Sequence, residues 1–208
     1  SITTANLKTV AVRIPENKTI RKILKSLSFP LAIPSANKST HVSPVTAKDV
    51  FSEFGNSLKF ILNGGSCIIG LESTVVDLIS KAKILRPGLI TPTDISKALN
   101  KKTSIYKKSK ILKAPGMLKK HYSPGIPIML DQKKAKNNEA FIIFGKKYKK
   151  AENTFNLSYK ANLNEAARNL YKTLRIIKNK KYNMIYVCPI PQTGIGLAIN
   201  DRLNRAAK

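Results

Sequence analysis

Small polar side chains are concentrated in the segment IPSANKSTHVSP, residues 33–44, directly after the apolar run FPLAI. The segment contains Ser35 and Asn37, and Ser43 follows eight positions after Ser35. A surface turn needs one or two such residues, whereas hydroxyl and amide groups in this number suit the recognition of a polar or anionic small molecule. The pattern therefore indicates a binding loop, with a serine-rich surface turn as the alternative.

Two further motifs interrupt apolar strands with polar side chains, and their hydroxyl and guanidinium groups suit the binding of anions. GLEST places Glu72, Ser73 and Thr74 before a strongly apolar segment, and LRPG places Arg86 at a strand end. Arginine binds phosphate and carboxylate groups through two parallel hydrogen bonds. Arg13 lies inside the otherwise apolar VAVRIP. A charge on a strand is costly to bury without a partner, and a substrate carboxylate would be one. An edge-strand arginine that faces solvent is an equally good interpretation.

The remaining reactive side chains exclude several kinds of site. The two histidines, His41 and His121, lack an acidic neighbour that would orient them, so no Ser-His-Asp triad is predicted. Cys67 and Cys188 lie far apart in apolar contexts, without metal-ligand spacing, and are predicted to be buried free thiols. Any metal is expected to be Mg²⁺ held mainly by nucleotide phosphates. Catalysis by positioning and charge neutralisation, as in nucleotidyl transfer, fits this set of residues.

The chain is strongly basic, with 38 lysines and arginines against 11 acidic residues and a formal net charge of +27. Such a field attracts polyanions, so a nucleic-acid partner is one interpretation. Tyr106 and Tyr148 are weak examples of aromatic residues among basic ones. The alternative is compositional, because abundant lysine, asparagine and isoleucine are typical of an AT-rich genome. No apolar run reaches the roughly 20 residues that cross a bilayer, and the N-terminus lacks signal-peptide features.

The elements that would position these groups form a mixed α/β unit over residues 1–104. Strands are predicted at TVAVRIP (9–15), FPLAIP, KFILNGG, CIIGLESTVVDLI and AKILRPGLI. Helices are predicted at TIRKILKSLS, TAKDVFSEFG and TPTDISKALN. Thr46 is the expected N-cap of the second helix and Gly55 its stop, and the third helix has a capping-box start.

Residues 105–127 are predicted to form a linker, because they contain three prolines and two glycines without a clear period. This linker also carries Met117, His121 and Tyr122, large side chains that a merely flexible spacer does not need. Residues 128–208 then alternate strand AFIIFGKK, helix NLNEAARNLYKTLRIIKNK, strand MIYVCPIP and helix GLAINDRLNRAAK. This order predicts a small parallel sheet of Rossmann-like layout, although GIGLA is too poor a glycine motif to predict dinucleotide binding.

Several long motifs, in order, resemble those of the threonylcarbamoyl-AMP synthases that carry a YrdC-like domain. They are TVAVRIP, PLAIPSANKSTHVSPVTAKDV, ILNGGSCIIGLESTVVDL, ILRPGLIT and APGMLKKHYSP. The closing TGIGLAINDRLNRAA is similar to the end of the two-domain form, which adds a Rossmann-like C-terminal domain. The resemblance runs over nearly the whole chain. It departs from the family's usual residues at Thr40, where glycine is usual, at Val45, where threonine is usual, and at Glu16-Asn17, where a histidine is common.

The resemblance implies an α/β fold with a partial YrdC-like twisted mixed sheet and helices, a linker, and a small Rossmann-like parallel-sheet domain. The family's N-terminal part, which carries a lysine and an arginine of the active-site signature, is expected to lie outside this chain. The implied reaction converts L-threonine, bicarbonate and ATP into threonylcarbamoyl-AMP and pyrophosphate, with Mg²⁺ bound mainly through ATP. The product feeds threonylcarbamoyladenosine formation in tRNA by a downstream threonylcarbamoyl transferase in the cytoplasm.

The resemblance also implies roles for individual residues. Arg13, the backbone of Ile33, and Ser73 would bind threonine, and no residue is assigned to a metal. Ser35 and Asn37 belong to the catalytic signature. The ATP-binding set is Thr9, Ser35, Ser43, Arg86, His121 and Tyr122, with the linker acting as a lid. One alternative is a non-catalytic remnant of the family that binds tRNA or double-stranded RNA, and another is an assembly partner that needs a second chain to complete its sheet.

Overall fold

A computed structural model describes residues 4, 6–79, 81–105, 121–136 and 139–208 of the 208-residue chain. The chain divides into two compact units, which are discontinuous in sequence. The first unit comprises Ser1–Lys38 and Ser43–Ser66, and the second comprises Ser39–Val42 and Cys67–Lys208. The mixed α/β fold that the sequence predicts is confirmed.

The described part of the first unit contains two α-helices whose starts are fixed by local capping. Helix α1 spans Lys18–Lys25 and begins at Asn17, whose side chain accepts hydrogen bonds from two backbone amides of the first turn. Helix α2 spans Ala47–Phe54, and a short 3₁₀ turn follows it. Thr46 and Asp49 form a capping box at the start of α2, which confirms the predicted N-cap.

The predicted strands of the first unit are wrong. TVAVRIP, FPLAIP and KFILNGG run as irregular backbone, and the described part of this unit has no paired strand. Their apolar side chains are exposed, with Val12 at 84% and Phe60 at 91%. A strand exists only where a neighbouring strand satisfies its backbone amides and carbonyls, so a β-branched pattern alone is insufficient.

The second unit opens with a three-stranded sheet of order β1-β2-β3. Strand β1 is Val75–Asp77, β2 is Lys83–Arg86 and β3 is Ser104–Ile105. Strand β1 pairs antiparallel with β2, and β3 pairs parallel with β2. Helix α3, Pro92–Leu99, connects β2 to β3 and begins with the predicted capping box, which Thr91 and Asp94 form.

A four-stranded parallel sheet follows, with the strand order β4-β7-β5-β6. Its strands are β4 Ile128–Met129, β5 Ala140–Ile143, β6 Thr154–Asn156 and β7 Ile185–Val187. Helix α4, Leu163–Asn179, precedes β7, and helix α5, Gly196–Ala206, follows it. The predicted Rossmann-like layout is confirmed, and Asn162 is the cap of α4. The sequence pattern missed β4 and β6, which are only two and three residues long.

The core of the second unit lies between this sheet and the apolar faces of its helices. All four residues of β5 are buried, as are Leu170, Leu174 and Ile177 of α4. Cys188 is buried beside Phe141 and Tyr186, as predicted. Cys67 is exposed, so the prediction of a buried thiol there is wrong. It precedes β1 in irregular backbone, which leaves its side chain open to solvent.

Most of the predicted linker, residues 106–120, lies outside the described residues, and the predictions for Tyr106 and Met117 lie there too. Residues 121–127 are described, and they attach to the second unit through backbone hydrogen bonds. His121 donates to the carbonyl of Arg205 at 3.2 Å, and Ser123 donates to the carbonyl of Thr40 at 2.9 Å. Among the described residues, none of the helices is both long and apolar enough to cross a membrane.

Candidate functional site

Arg13 lines an open cleft in the first unit. The cleft has a volume of about 250 Å³ and is lined by Arg13, Ile14, Pro15, Arg21, Leu24 and Lys25. Arg21 and Lys25 lie one turn apart on α1, so their side chains share one face of the helix. Arg13 is exposed rather than buried, and it therefore needs no partner within the fold. Three cations around one cleft suit a carboxylate or phosphate ligand.

The other predicted residues of the first unit belong to two segments. Thr9, Ile33 and Ser35 have exposed side chains. Asn37 is half-buried, and its side-chain amide donates to the carbonyl of Lys38 at 2.8 Å. Ser43 is buried. The loop therefore presents the Ser35 hydroxyl outward, while Asn37 holds the backbone beside it.

In the second unit, the structure brings together Ser73 and Arg86. The guanidinium of Arg86 donates twice to the carbonyl of Ser73, from Nε at 3.1 Å and from Nη2 at 2.9 Å. Gly88 packs directly on the same segment, because a Cβ there would overlap the amide of Thr74 and lie 2.7 Å from the carbonyl of Glu72. The LRPG segment thus contacts the GLEST backbone through Arg86 and Gly88. The side chain of Ser73 remains exposed.

The side chain of Glu72 binds two residues of the C-terminal helices. Its Oε2 accepts a hydrogen bond from the Tyr171 hydroxyl at 2.8 Å and from Arg202 Nε at 2.9 Å. Arg202 is fully buried, and its Nη1 donates to Asp201 at 2.8 Å. Asp201 also pairs with Arg205 at 3.0 Å. Two arginines and two carboxylates therefore balance their charges inside a strongly basic chain.

Tyr122, in the C-terminal part of the predicted linker, packs into the same cluster. It is only 1% exposed, and its ring stacks on Tyr171 at 5.6 Å and lies 4.0 Å from the ring of His121. Arg202 Cζ lies 5.2 Å from the centre of the Tyr122 ring, a cation–π contact. Tyr122 has a φ of 63°, a left-handed conformation that a bulky residue adopts at a cost of about 1–3 kcal/mol. The surrounding contacts hold it there.

Thr40 has the same unusual backbone, with a φ of 68°. This is the position where the family usually has glycine, and only glycine adopts such a conformation without a steric penalty. Thr40 accepts the hydrogen bond from Ser123, and His41 forms a parallel bridge with Ser123. The two left-handed residues, Thr40 and Tyr122, are thus connected through Ser123.

Three polar atoms of this cluster have no hydrogen-bond partner among the described residues. They are His121 Nδ1, Tyr122 Oη and Arg202 Nη2. Buried polar atoms are nearly always satisfied, so three such atoms in one place indicate a water, ion or ligand as their partner. The structure therefore brings together the predicted His121 and Tyr122 with Glu72, the immediate neighbour of the predicted Ser73.

Burial is the largest influence on the pKa values of His121, Tyr122 and Tyr171. It lowers the pKa of His121, and the nearby Arg205, Arg202 and Arg86 lower it further, against an opposing effect of Glu72. Burial and Glu72 raise the pKa of Tyr122 and of Tyr171. Burial disfavours the charge of Arg202, but Tyr171 and Glu72 outweigh it, and the pKa of Arg202 is raised. At neutral pH the histidine is therefore neutral, and the tyrosines are hydrogen-bond donors.

Sequence reasoning missed Tyr171 and Arg202 and gave Glu72 no role. A signal for Arg202 was available in the helical period of GLAINDRLNRAAK. Arg202 shares its face of α5 with the buried Ile199 and Ala206, three residues before it and four after it. A charged residue on an apolar helix face predicts a buried partner of opposite charge.

Among the described residues, the structure has no group of three or more histidine, cysteine or carboxylate side chains that could hold a metal ion. Binding of Mg²⁺ through nucleotide phosphates stays a prediction. The same holds for the predicted domain boundaries at residues 104 and 127.

Two family models together match almost every residue of the chain. One, described as threonylcarbamoyl-AMP synthase, C-terminal domain, matches residues 90–208, and another, described as telomere recombination, matches residues 1–88. The threonylcarbamoyl-AMP synthase of Pyrococcus abyssi is 33% identical over 99% of this chain and 66% of that protein. Those of Schizosaccharomyces pombe and Bacillus subtilis are 31% and 30% identical, over 59% and 64% of their lengths. The chain thus spans slightly less than two thirds of these relatives.

Solved structures agree with this similarity. A crystal structure of P. abyssi Sua5 complexed with L-threonine matches with a TM-score of 0.86 and 30% identity, over 98% of this chain and 65% of that one. A variant of P. abyssi Sua5 in which a histidine and the tyrosine after it are both replaced by alanine matches with a TM-score of 0.83 and 29% identity, over 98% and 64%. These matches confirm the predicted fold.

Proposed function

Because the chain belongs to the threonylcarbamoyl-AMP synthase family, we propose that it makes L-threonylcarbamoyladenylate and pyrophosphate from L-threonine, bicarbonate and ATP. The observation that carries this proposal is the match of family models to residues 1–88 and 90–208, with the site residues inside both. The product would supply the threonylcarbamoyl group of threonylcarbamoyladenosine in tRNA through a downstream transferase, in the cytoplasm.

The reaction requires two bonds to form. The amine of threonine adds to the carbon of bicarbonate, and loss of water gives a carbamate. An oxygen of the carbamate then attacks the α-phosphorus of ATP, and pyrophosphate leaves. Both steps bring anions together, so positioning and charge neutralisation are what the protein must supply.

Arg13 is proposed to hold the carboxylate of threonine. Its support is the cleft where Arg13, Arg21 and Lys25 provide three cations. We assign the backbone of Ile33 and the exposed hydroxyl of Ser73 to threonine as well. The relative that is complexed with L-threonine supports this choice of substrate.

The ATP-binding set is proposed to be Thr9, Ser35, Ser43, Arg86, His121 and Tyr122. Ser35 and Asn37 act in the catalytic signature, and the exposed hydroxyl of Ser35 suits a phosphate contact. The unsatisfied His121 Nδ1 and Tyr122 Oη leave two polar atoms for a ligand. Bound Mg²⁺ would neutralise the charge of the departing pyrophosphate, held mainly by the phosphates themselves.

The net charge of +27 favours a second candidate function, direct binding of tRNA or double-stranded RNA. In this alternative the chain is a non-catalytic remnant of the family. It predicts tight, salt-sensitive binding of tRNA without nucleotide or threonine. Threonine-dependent chemistry would be absent.

Pyrophosphate release by the complete gene product that carries this chain separates the two candidates. We expect release from ATP only when threonine and bicarbonate are both present. Release that is independent of threonine would contradict the synthase proposal. Absence of release, together with tight tRNA binding that weakens as salt rises, would favour the remnant.

Arg13→Ala is the matched test of the threonine site. Loss of charge-assisted hydrogen bonds to a carboxylate should raise the KM for threonine roughly tenfold to a hundredfold. Lys22→Ala removes an exposed cation of α1 outside the cleft and serves as the control. An unchanged threonine KM in Arg13→Ala would remove Arg13 from the site.

A further inference from the structure

Arg202 connects two segments that the proposed function requires. It binds Glu72, whose neighbour Ser73 is assigned to threonine, and it covers the ring of Tyr122, which is assigned to ATP. It is fully buried on α5, 130 residues away from Glu72 in sequence. Arg202 therefore contacts both segments with one side chain.

The remaining contacts of the cluster restrict the same two segments. Tyr171 donates to Glu72 and stacks on Tyr122, so α4 reinforces what α5 holds. The carbonyl of Arg205 accepts the hydrogen bond from the backbone of His121. Tyr122 is strained and buried, and it keeps its left-handed backbone only while these neighbours hold it.

Gly70 shows how closely α4 approaches the GLEST segment. A Cβ at Gly70 would lie 2.5 Å from the Cα of Arg168 and 2.6 Å from its carbonyl oxygen. The backbone before Glu72 therefore rests directly on α4, while the Glu72 side chain reaches α5. Helices of the Rossmann-like region thus contact the segment that carries Ser73 at two places.

We propose that Arg202 is a positioning residue for the synthase reaction, which holds the Glu72–Ser73 segment and the His121–Tyr122 segment in one fixed arrangement. This assigns a role in catalysis to the C-terminal helix α5. The inference rests on the proposed function, because that function gives Ser73, His121 and Tyr122 their substrates. Arg202 acts through Glu72 and Tyr122.

The first test compares Arg202→Met with Arg168→Met in the complete gene product. The side chain of Arg168 is exposed on α4, and it is the Arg168 backbone that approaches Gly70, so the Arg168→Met variant removes a positive charge while keeping that backbone contact. Arg202→Met is expected to lower kcat/KM for threonine-dependent pyrophosphate release at least tenfold, and Arg168→Met is expected to leave it unchanged. Equal kcat/KM values for the two variants would overturn the proposal.

A second variant separates positioning from simple support of the fold. Arg202→Met alone removes the guanidinium that pairs with the partly buried carboxylate of Glu72, which destabilises the protein. The double variant Glu72→Gln with Arg202→Met removes both charges, and its thermal stability should return toward that of the wild type. We expect kcat/KM to stay low in this double variant. Recovery of kcat/KM together with stability would show that Arg202 only supports the fold.

Arg202→Lys tests the shape of the cation. Lysine keeps the charge but lacks the planar guanidinium that donates to Glu72 and stacks on Tyr122. We expect it to restore stability more fully than kcat/KM. Full restoration of kcat/KM by lysine would contradict a role that depends on simultaneous contacts.

Histidine-selective NMR gives a readout that does not depend on activity, with the His121 signal assigned from a His121→Gln variant. Arg202→Met should shift the His121 signal and raise its pKa, because a neighbouring cation is lost. Arg168→Met should leave the signal in place. If the wild type releases no pyrophosphate, the proposed function fails while this measurement still decides whether Arg202 positions His121. An unmoved His121 signal in Arg202→Met would overturn the inference.

Discussion

VAVRIP in the first unit and AFII in the second are similar sequences, both apolar and rich in β-branched residues, but only AFII forms a strand. AFII is strand β5, between β6 and β7, and Ile142 within it is fully buried. VAVRIP forms no strand, and Val12 is 84% exposed. The difference lies in the partners, because strands on both sides of β5 satisfy its backbone groups. A sequence pattern gives a segment the capacity to be a strand, and tertiary neighbours decide whether it becomes one.

The largest expected effect tests this comparison directly. Ile142→Ala should lower the free energy of unfolding by about 2–5 kcal/mol, because it leaves a cavity in a packed core. Val12→Ala should change the free energy of unfolding by no more than about 0.5 kcal/mol, since the side chain is already in solvent. Chemical denaturation of the two variants measures both values. Equal losses would mean that VAVRIP is packed as tightly as β5.

A pair of glycines sharpens the comparison. Gly65 of the first unit has a φ of 84° with open space around it, whereas Gly70 of the second has a φ of 75° and the backbone of Arg168 within 2.5 Å. Gly65→Ala should destabilise by about 1–2 kcal/mol through backbone strain alone. Gly70→Ala should lower the free energy of unfolding by about 1–3 kcal/mol more than Gly65→Ala does, because the added methyl overlaps α4. Similar unfolding midpoints for the two variants would contradict the close approach of α4.

Thr40→Gly is expected to stabilise the protein. The left-handed φ of 68° strains a β-branched residue, and glycine removes that strain at some entropic cost in the unfolded chain. The net gain in the free energy of unfolding should be about 1 kcal/mol. Ser39→Gly, at the neighbouring position, is the control. It should lower the free energy of unfolding by about 0.5 kcal/mol, because glycine makes the unfolded chain more flexible. A thermal melt in which Thr40→Gly unfolds below the wild type would show that the strain is absent.

The smallest expected effect concerns the cap of α3. Hydrogen bonds from the Thr91 side chain and backbone lower the pKa of Asp94 below its usual 3.8, and Lys97 contributes a little. The ionised form is favoured in the folded state, so its stabilisation is present above the unfolded pKa and is lost as the pH falls through the folded pKa. Thr91→Ala should raise the pKa of Asp94 in an NMR titration, and Thr46→Ala should not. An unchanged pKa in Thr91→Ala would remove Thr91 as its cause.

The predictions from sequence were accurate where the cause is local. The N-caps Thr46 and Thr91 lie within three residues of the amides that they satisfy, so a short sequence window contains the whole interaction. The apolar stripe of α4 also follows from the helical period alone. Together with the alternation of strands and helices in residues 128–208, such local patterns predicted five helices and a parallel sheet.

The central cluster of the site could not be predicted from such signals. Glu72 and Arg202 are 130 residues apart, and Glu72 and Tyr171 are 99 apart, so their pairing depends on the tertiary fold. The helical period of α5 could have indicated a buried charge at Arg202, but it contains no information on the partner. The left-handed backbone of Tyr122 could not be predicted either, because nothing in the HYSP motif requires it.

The most direct test of the account follows the carbon of bicarbonate into the product. The complete gene product is incubated with ¹³C-bicarbonate, L-threonine and ATP, and the nucleotides are identified by mass spectrometry. The account predicts an adenylate that contains one threonine and one ¹³C, formed together with pyrophosphate and strongly reduced in Arg202→Met. An adenylate without the label, or a labelled product at the same level in Arg202→Met and the wild type, would contradict it.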